Sequence, residues 1–464
     1  MTIRTSNLAS LVLAAVVGVP AAASAQSNVA EAEALLEQAD RILLEIEQYR
    51  GVPATGPVAR AVQTRASLRD RLVDLIHDEY SPAELEAMQG MMVALQLLPP
   101  DRDYIELTLE LLNEQIAGFY DDGEAVFYIL DDMDPEMQGA VMAHELFHAI
   151  QDQVWTIAAV RGETKHLTDA SLARTAVLEG DALAVMVSWM LGGAVDLSSI
   201  PMIDALLANA TGDPSTMSDV DVPHVMWEQL LYPYTGGLTF VIAVQQAGGL
   251  DAVNALYVDP PSSTEQILHP DRYLDRDEPT WLTFDVEVPG GEIYAQDVFG
   301  ELTLGATLAQ LLDGRVSSGS CARAADGWDG DRAVFVRFDD APDRHAVVHV
   351  SVWDDEDEAG SFARVAARLP FVWLGNDAER VHETGDHGEG WSFTAPSGAA
   401  SVERWGDLVV VAVDHGGDAT GRVDALATTV EGVWSSLRRS QYPDLTVRAD
   451  EVATRSGPSP AAAE

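Results

Sequence analysis

The segment His144-Glu145-Leu146-Phe147-His148 carries residues whose types and spacing could do chemistry. On a helix, residues four apart share a face, so both imidazoles can reach one metal ion. Glu145 lies about 100° round from His144, close enough to touch a metal-bound water without being a ligand. Zinc suits two neutral imidazoles and a carboxylate, with a fourth position left for water. The ion would lower that water's pKa and polarise a carbonyl, while Glu145 takes the water's proton and passes it to the leaving amine.

A third ligand must come from elsewhere. Gln151 and Val154 stand where a metzincin-like site would need Gly and His. The better candidate is Glu179, on a mostly apolar helix where an unpaired carboxylate would be costly. Gly180 beside it lowers helix propensity but allows another backbone to approach closely. The alternative for Glu179 is a helix carboxylate that reaches solvent or an arginine such as Arg174. Charge developing on a substrate carbonyl oxygen also needs a stabiliser. Tyr232, Tyr234 and His269 are the candidates. Packed tyrosines and a structural histidine are the competing readings.

At these residues the chain resembles the gluzincin zinc metallopeptidases, in which a glutamate on a following helix joins the two-histidine helix. More narrowly, it resembles a group of exported bacterial proteins. The shared features are His144 to Gln153 (HELFHAIQDQ), Glu179 to Ala182 (EGDA), Pro260 to Pro270 (PPSSTEQILHP), Gly327 to Arg332 (GWDGDR) and Gly118 to Asp121 (GFYD). The resemblance touches residues 118 to 340 and implies a zincin catalytic domain with peptide hydrolysis; it supplies no substrate. One departure stands out. Thermolysin-like gluzincins place an aspartate four residues after the ligand glutamate, and here that position is Leu183. Support for a ligand histidine would come instead from Asp152, one turn beyond His148, or from Asp181.

The elements around these residues follow from periodicity. Helical spacing runs over Ala30 to Tyr49, Ala59 to His77 and Ala83 to Leu98, and a further helix ends near Gly118. Phe119 to Asp121 and Ala125 to Leu130 flank Asp122-Gly123, a hairpin signal whose edge strand could take an extended peptide. Asp134-Pro135 opens the metal helix, which should end at Trp155. A second strong helix runs from Asp169 through Leu191, and the Tyr232 to Gly237 segment reads as a loop before an apolar helix. Beyond residue 300, strands (Ala333 to Phe338, Ala346 to Val352, Leu408 to Val413) mix with helices (Ser361 to Leu369, Val423 to Leu437). The expected fold class is α+β. A signal segment (1–25) precedes a mostly helical zincin-like domain with a small hairpin or sheet (26–299, its helical N-terminal part 29–118). A smaller α+β domain (300–440) and a disordered tail (441–464) follow.

Composition bounds the rest. The chain has 464 residues, 47% hydrophobic and 22% charged, enough to bury a sizeable core and unlike a collagen or disulfide-dense chain. Its 75 acidic against 27 basic residues give a formal charge of -48. Nucleic acid and anionic membrane surfaces are therefore poor partners. The first residues read as an export signal, with Arg4, an apolar Leu8 to Val19 and an Ala23-Ser24-Ala25 cleavage site, too short to span a bilayer. The expected address is periplasmic or extracellular. Cys321 is the only cysteine, so no intrachain disulfide forms. The acidic run Asp354 to Glu358 lacks the spacing of a calcium loop. His345 and His349, in a strand, would lie too far apart to share a metal.

The expectation is an exported zinc metallopeptidase acting on a peptide or protein substrate. His144, His148 and Glu179 hold Zn2+, Glu145 is the general base, and Tyr234 or His269 stabilises the oxyanion. The rivals are a non-catalytic zincin-scaffold binder with a structural zinc and a hydrolase of non-peptide amides.

Overall fold

A computed structural model describes residues 38–132, 137–193, 197, 220–385, 388–416 and 421–447. The expected signal segment, residues 30–37, Asp134-Pro135 and residues 448–464 lie outside the described residues. The fold is α+β, as its sequence pattern indicates.

Side-chain caps open several of the helices. Helix α1 (Ala39–Arg50) closes on Gly51 in the left-handed region. Strand β1 (Ala59–Gln63) runs into Thr64, whose hydroxyl accepts from Ser67 N to open α2 (Arg65–Glu79). The expected helix from Ala59 is thus corrected. Its first residues pair in parallel with β3 (Val126–Leu130), from Ala59 opposite Val126 to Gln63 opposite Leu130, and that distant partner satisfies backbone groups a local helix would otherwise bond. Helix α3 (Pro82–Ala94) begins with a Ser81–Glu84 capping box, and α4 (Tyr104–Gln115) with Asp103 accepting two backbone N–H groups. Strand β2 (Gly118–Asp121) pairs antiparallel with β3, completing a sheet in the order β1-β3-β2. Although β2 is at the sheet's edge, all four of its residues are buried. An edge open to an extended peptide is one reading of this hairpin and an ordinary structural hairpin the other; the burial of β2 favours the second.

Helix α5 (Gln138–Trp155) carries the two-histidine segment and packs on β2 and β3. The short α6 (Ile157–Arg161) leads to α7 (Thr168–Met190), which lies along α8 (His224–Ala255). Tyr232 to Gly237, expected as a loop, sits inside α8 despite Pro233, and the non-helical residue of that element is Gly249. Helices α9 (Thr264–Leu268) and α10 (Pro270–Asp275) lead to β4 (Thr280–Thr283). Among the described residues no helix is long and apolar enough to cross a membrane.

The C-terminal part comprises β5 (Glu292–Asp297), α11 (Gly300–Leu311), α12 (Ser318–Ala325), β6 (Trp328–Arg337), β7 (His345–Trp353), α13 (Glu356–Ala366), α14 (Pro370–Trp373), β8 (Glu379–Gly385), β9 (Gly388–Ala395), β10 (Gly398–Trp405), β11 (Leu408–His415), α15 (Arg422–Ser436) and β12 (Arg438–Gln441). Seven of these strands form an antiparallel sheet, β5-β6-β7-β11-β10-β9-β8. Alternation along it decides what packs where. Val347, Val409, Val411 and Val413 face α11 to α14, whereas Val348, Val350, Val410 and Ala412 face α15.

The expected break at 299/300 needs moving, because β5 already belongs to this sheet. Ala94, Leu95, Leu97, Leu98, Val225 and Met226 also share its core. Nor is the chain loose from 441. Tyr442 and Val447 are buried, and the carbonyl of Leu445 accepts from Glu163 N and from Arg174 Nη1. The acidic run Asp354 to Glu358 starts α13, where Asp355 caps the helix and negative charge is favoured.

Candidate metal centre

Helix geometry brings His144 and His148 to one face of α5, and α7 presents Glu179 to them. His148 Nε2 lies 3.0 Å from His144 Nε2, while Glu179 Oε2 stands 3.1 Å from His144 Nε2 and 3.5 Å from His148 Nε2. Tetrahedral zinc with bonds near 2.0–2.1 Å spaces its ligand atoms by about 3.3 Å, so the three donors already have the separations one such ion needs. Glu179 Oε1 and Glu145 Oε1 are buried without hydrogen-bond partners, which also suits a site for a cation. The residues present therefore suit a divalent metal.

Glu179 reaches α5 because α7 and α8 approach at glycine. A Cβ on Gly180 would stand 2.8 Å from Gly237 Cα, and one on Gly237 would stand 3.1 Å from Ala176 Cα. Tyr234, also on α8, lies over His144 with ring centroids 6.1 Å apart.

Electrostatics divide the four titratable groups. Burial lowers His144 and favours the neutral imidazole that metal binding requires. Burial opposes ionisation of Glu179, but the two imidazoles more than offset it and hold its carboxyl below the ordinary range. Glu145 goes the other way: burial and the nearby Glu179 charge raise it well above the usual carboxyl value. Its Oε2 accepts from Tyr120 N at 2.9 Å. The outward donor of strand β2 thus holds Glu145.

The supporting shell differs from both sequence candidates. His148 Nδ1 donates to Gln151 Oε1 at 2.6 Å, which leaves Nε2 as the metal-facing lone pair. Gln151 Nε2 in turn donates to Leu178 O and to Tyr257 Oη. Tyr257 donates to Asp181 Oδ2 at 2.6 Å, and Asp181 forms a buried pair with Arg50 at 2.9 Å. Asp181 therefore acts through two intermediaries. Asp152 does not touch His148: its carboxylate accepts from Tyr120 Oη and Ile157 N, steadying the residue that holds Glu145. Sequence reasoning missed Gln151 by looking one full turn past His148, when the residue three on was the partner.

Three of the expected site residues gather here with Glu145 and Tyr234; His269 does not. It contacts Glu301 and Asp326, in a separate cluster. Arg174, the alternative partner for Glu179, instead donates to the carbonyls of Val160, Arg161 and Leu445. A cavity of about 210 Å³ reaches Arg50 and Asp181 but is lined by none of the three ligands.

Residues 288–426 are similar to a family described as a domain of unknown function (DUF8575), a match that begins just before β5 and excludes the His144 to Glu179 region. A crystal structure from Chloroflexus aurantiacus, described as "a putative hydrolase with a novel fold", aligns over 58% of this chain and 94% of its own, at 18% identity and a TM-score of 0.35. No curated protein matches.

Proposed function

We propose that this chain is a zinc-dependent hydrolase of the gluzincin type, acting on peptide bonds. The observation that carries the reading is the convergence of His144 Nε2, His148 Nε2 and Glu179 Oε2, with Glu145 on the same turn as the first histidine. When bound, the metal would supply Lewis acidity and an acidified water. Glu145 holds the proton inventory. Tyr120 N–H fixes Oε2, so Oε1 is the atom left to accept a proton from water and deliver it to the leaving amine. Gln151 fixes the tautomer and ring plane of His148. Tyr234, whose ring lies over His144, is our candidate for steadying charge on a substrate oxygen. His269 has no part in this step.

Replacing Glu145→Gln tests the assignment. Hydrolysis of a mixed peptide library should fall by at least 100-fold while zinc stays stoichiometric; unchanged turnover would refute it. One observation favours a second reading, a structural zinc on a binding protein. His144 is 1% exposed and His148, Glu145 and Glu179 are 0% exposed, and structural zinc sites are closed whereas catalytic ones keep an open position. A chain that binds zinc but cleaves no peptide in the library would support that reading. Mass spectrometry of the products separates peptides from other amides. The address we propose for the chain is outside the cytoplasm.

A further inference from the structure

The motifs around Pro260–Pro270 and Gly327–Arg332 are not used by the centre above, yet they meet at one place. His269 lies between α9 and α10, Glu301 in the first turn of α11, and Asp326 at the end of α12. Nε2 of His269 stands 3.2 Å from either oxygen of Glu301 and 3.6 Å from Asp326 Oδ1. One donor atom from each residue lies within 4.8 Å of the others. These are spacings that one cation can bridge.

An independent feature points to a ligand. The Glu301 side chain is 8% exposed, and among the described residues its carboxylate is met by His269 alone: Oε1 takes the hydrogen bond, and Oε2 has the ion-pair contact but no hydrogen bond of its own. Glu265 Oε1 and Glu358 Oε2 nearby are also buried without donors. Arg272 is the cation of this joint, and it is engaged by Asp277 and Asp354 while standing 3.9 Å from Glu265. Carboxylates thus outnumber the positive charge that could compensate them. The scaffold is also rigid. Asp331 accepts from Phe299 N, Gly300 N and Trp328 Nε1, fixing the start of α11. Thr264 donates to Asp169 and so ties α9 to α7.

We propose that His269, Glu301 and Asp326 form a second divalent-metal site, distinct from the His144–His148–Glu179 centre, which clamps the α9–α10 segment to α11 and α12. One imidazole with two carboxylates suits a first-row ion such as Zn2+ or Mn2+ better than Ca2+, which prefers all-oxygen shells. Asp326 is the outer ligand, 61% exposed, and leaves the ion a solvent-facing side. The proposal stands on these residues alone and holds whether or not the first centre is catalytic.

Metal stoichiometry tests it. The full chain is stripped with chelator, dialysed against Zn2+ or Mn2+, and its bound metal measured by mass spectrometry. Wild type should hold two equivalents of at least one ion. Asp326→Ala, a largely exposed change that spares the fold, and Glu301→Gln should each lose one equivalent, and His148→Ala should lose the other. One equivalent retained in His148→Ala and lost in Asp326→Ala would also support the site. A wild-type count that neither Asp326→Ala nor Glu301→Gln lowers would overturn it, leaving a protonated His269 as the bridge between the two carboxylates.

Discussion

Gly180→Ala probes how the fold sets the metal centre, because a methyl group there acts on backbone alone. Two effects compete. In an unobstructed helix, alanine is favoured over glycine by about 1 kcal/mol. Here the added Cβ would stand 2.8 Å from Gly237 Cα and closer still to its carbonyl group. Neither neighbour can rotate away, so α7 and α8 must separate by roughly 1 Å to restore ordinary contact near 3.5 Å. Overpacking of this kind costs about 1–3 kcal/mol, and a backbone-on-backbone clash belongs at the upper end. Net destabilisation should be about 2 kcal/mol. The displacement also matters for chemistry, since Glu179 precedes Gly180 and ligand positions tolerate only about 0.2 Å. Zinc affinity, measured by competition with a chromogenic chelator, should fall by at least ~10-fold. Gly432→Ala is the control: it lies inside α15 with nothing within 4 Å of its Cβ, so it should leave zinc binding unchanged and melt slightly higher. If Gly180→Ala melts at or above wild type and keeps its zinc affinity, the close-approach argument is wrong.

Gln151→Leu removes the acceptor of His148 Nδ1 and should weaken zinc about 10–100-fold in the same competition assay; unaltered affinity would show the contact to be incidental. Asp181→Ala strands the Arg50 guanidinium, which is 4% exposed, and should cost about 3–5 kcal/mol in urea unfolding. A loss under 1 kcal/mol would mean that water already screens the pair. Stability should also fall as pH rises in chelator-treated protein. Burial pushes Asp297 up to about 7, Asp169 to about 8 and Glu265 to about 9. Folded values above the unfolded ones near 4 mean that the folded chain binds more protons, so the contribution is complete below about pH 4 and is lost through pH 7–9. Melting temperatures at pH 5, 7 and 9 should descend in that order; a flat or rising series would contradict the burial argument.

The sequence exposes features whose signal is local. Helix spacing puts His144 and His148 on one face, and an apolar helix that tolerates Glu179 and Gly180 announces both a buried partner and a close neighbour. The Asp122-Gly123 turn likewise marks β2 and β3. What stayed hidden depends on distant chain. Ala59 to Gln63 reads as the start of a helix until β3 supplies a parallel partner. Tyr232 to Gly237 reads as a loop because Pro233 and two glycines break local propensity, yet Gly237 is where α8 meets α7. Arg50 and Tyr257 lie far from the motif in sequence, and only the folded chain brings them to Asp181. Tyr442 to Val447 looked featureless because a short docked segment carries no periodicity.

The burial of Glu145 bears on the choice between a structural and a catalytic metal. A zinc tether needs His144, His148 and Glu179 and gains nothing from a second carboxylate. Glu145 is 0% exposed, is raised by burial and by the charge of Glu179, and leaves Oε1 without a donor. Buried, half-satisfied carboxylates cost free energy, so one beside a ligand set is more readily explained by the proposed catalytic role than by a tether. The isosteric amide in Glu145→Gln keeps the Tyr120 N–H bond through its carbonyl while shedding the charge. Metal-free Glu145→Gln protein should therefore melt no lower than wild type at pH 8, and above it where the wild-type carboxyl ionises. A lower melting temperature for the amide would make Glu145 a structural residue and turn the argument toward the tether.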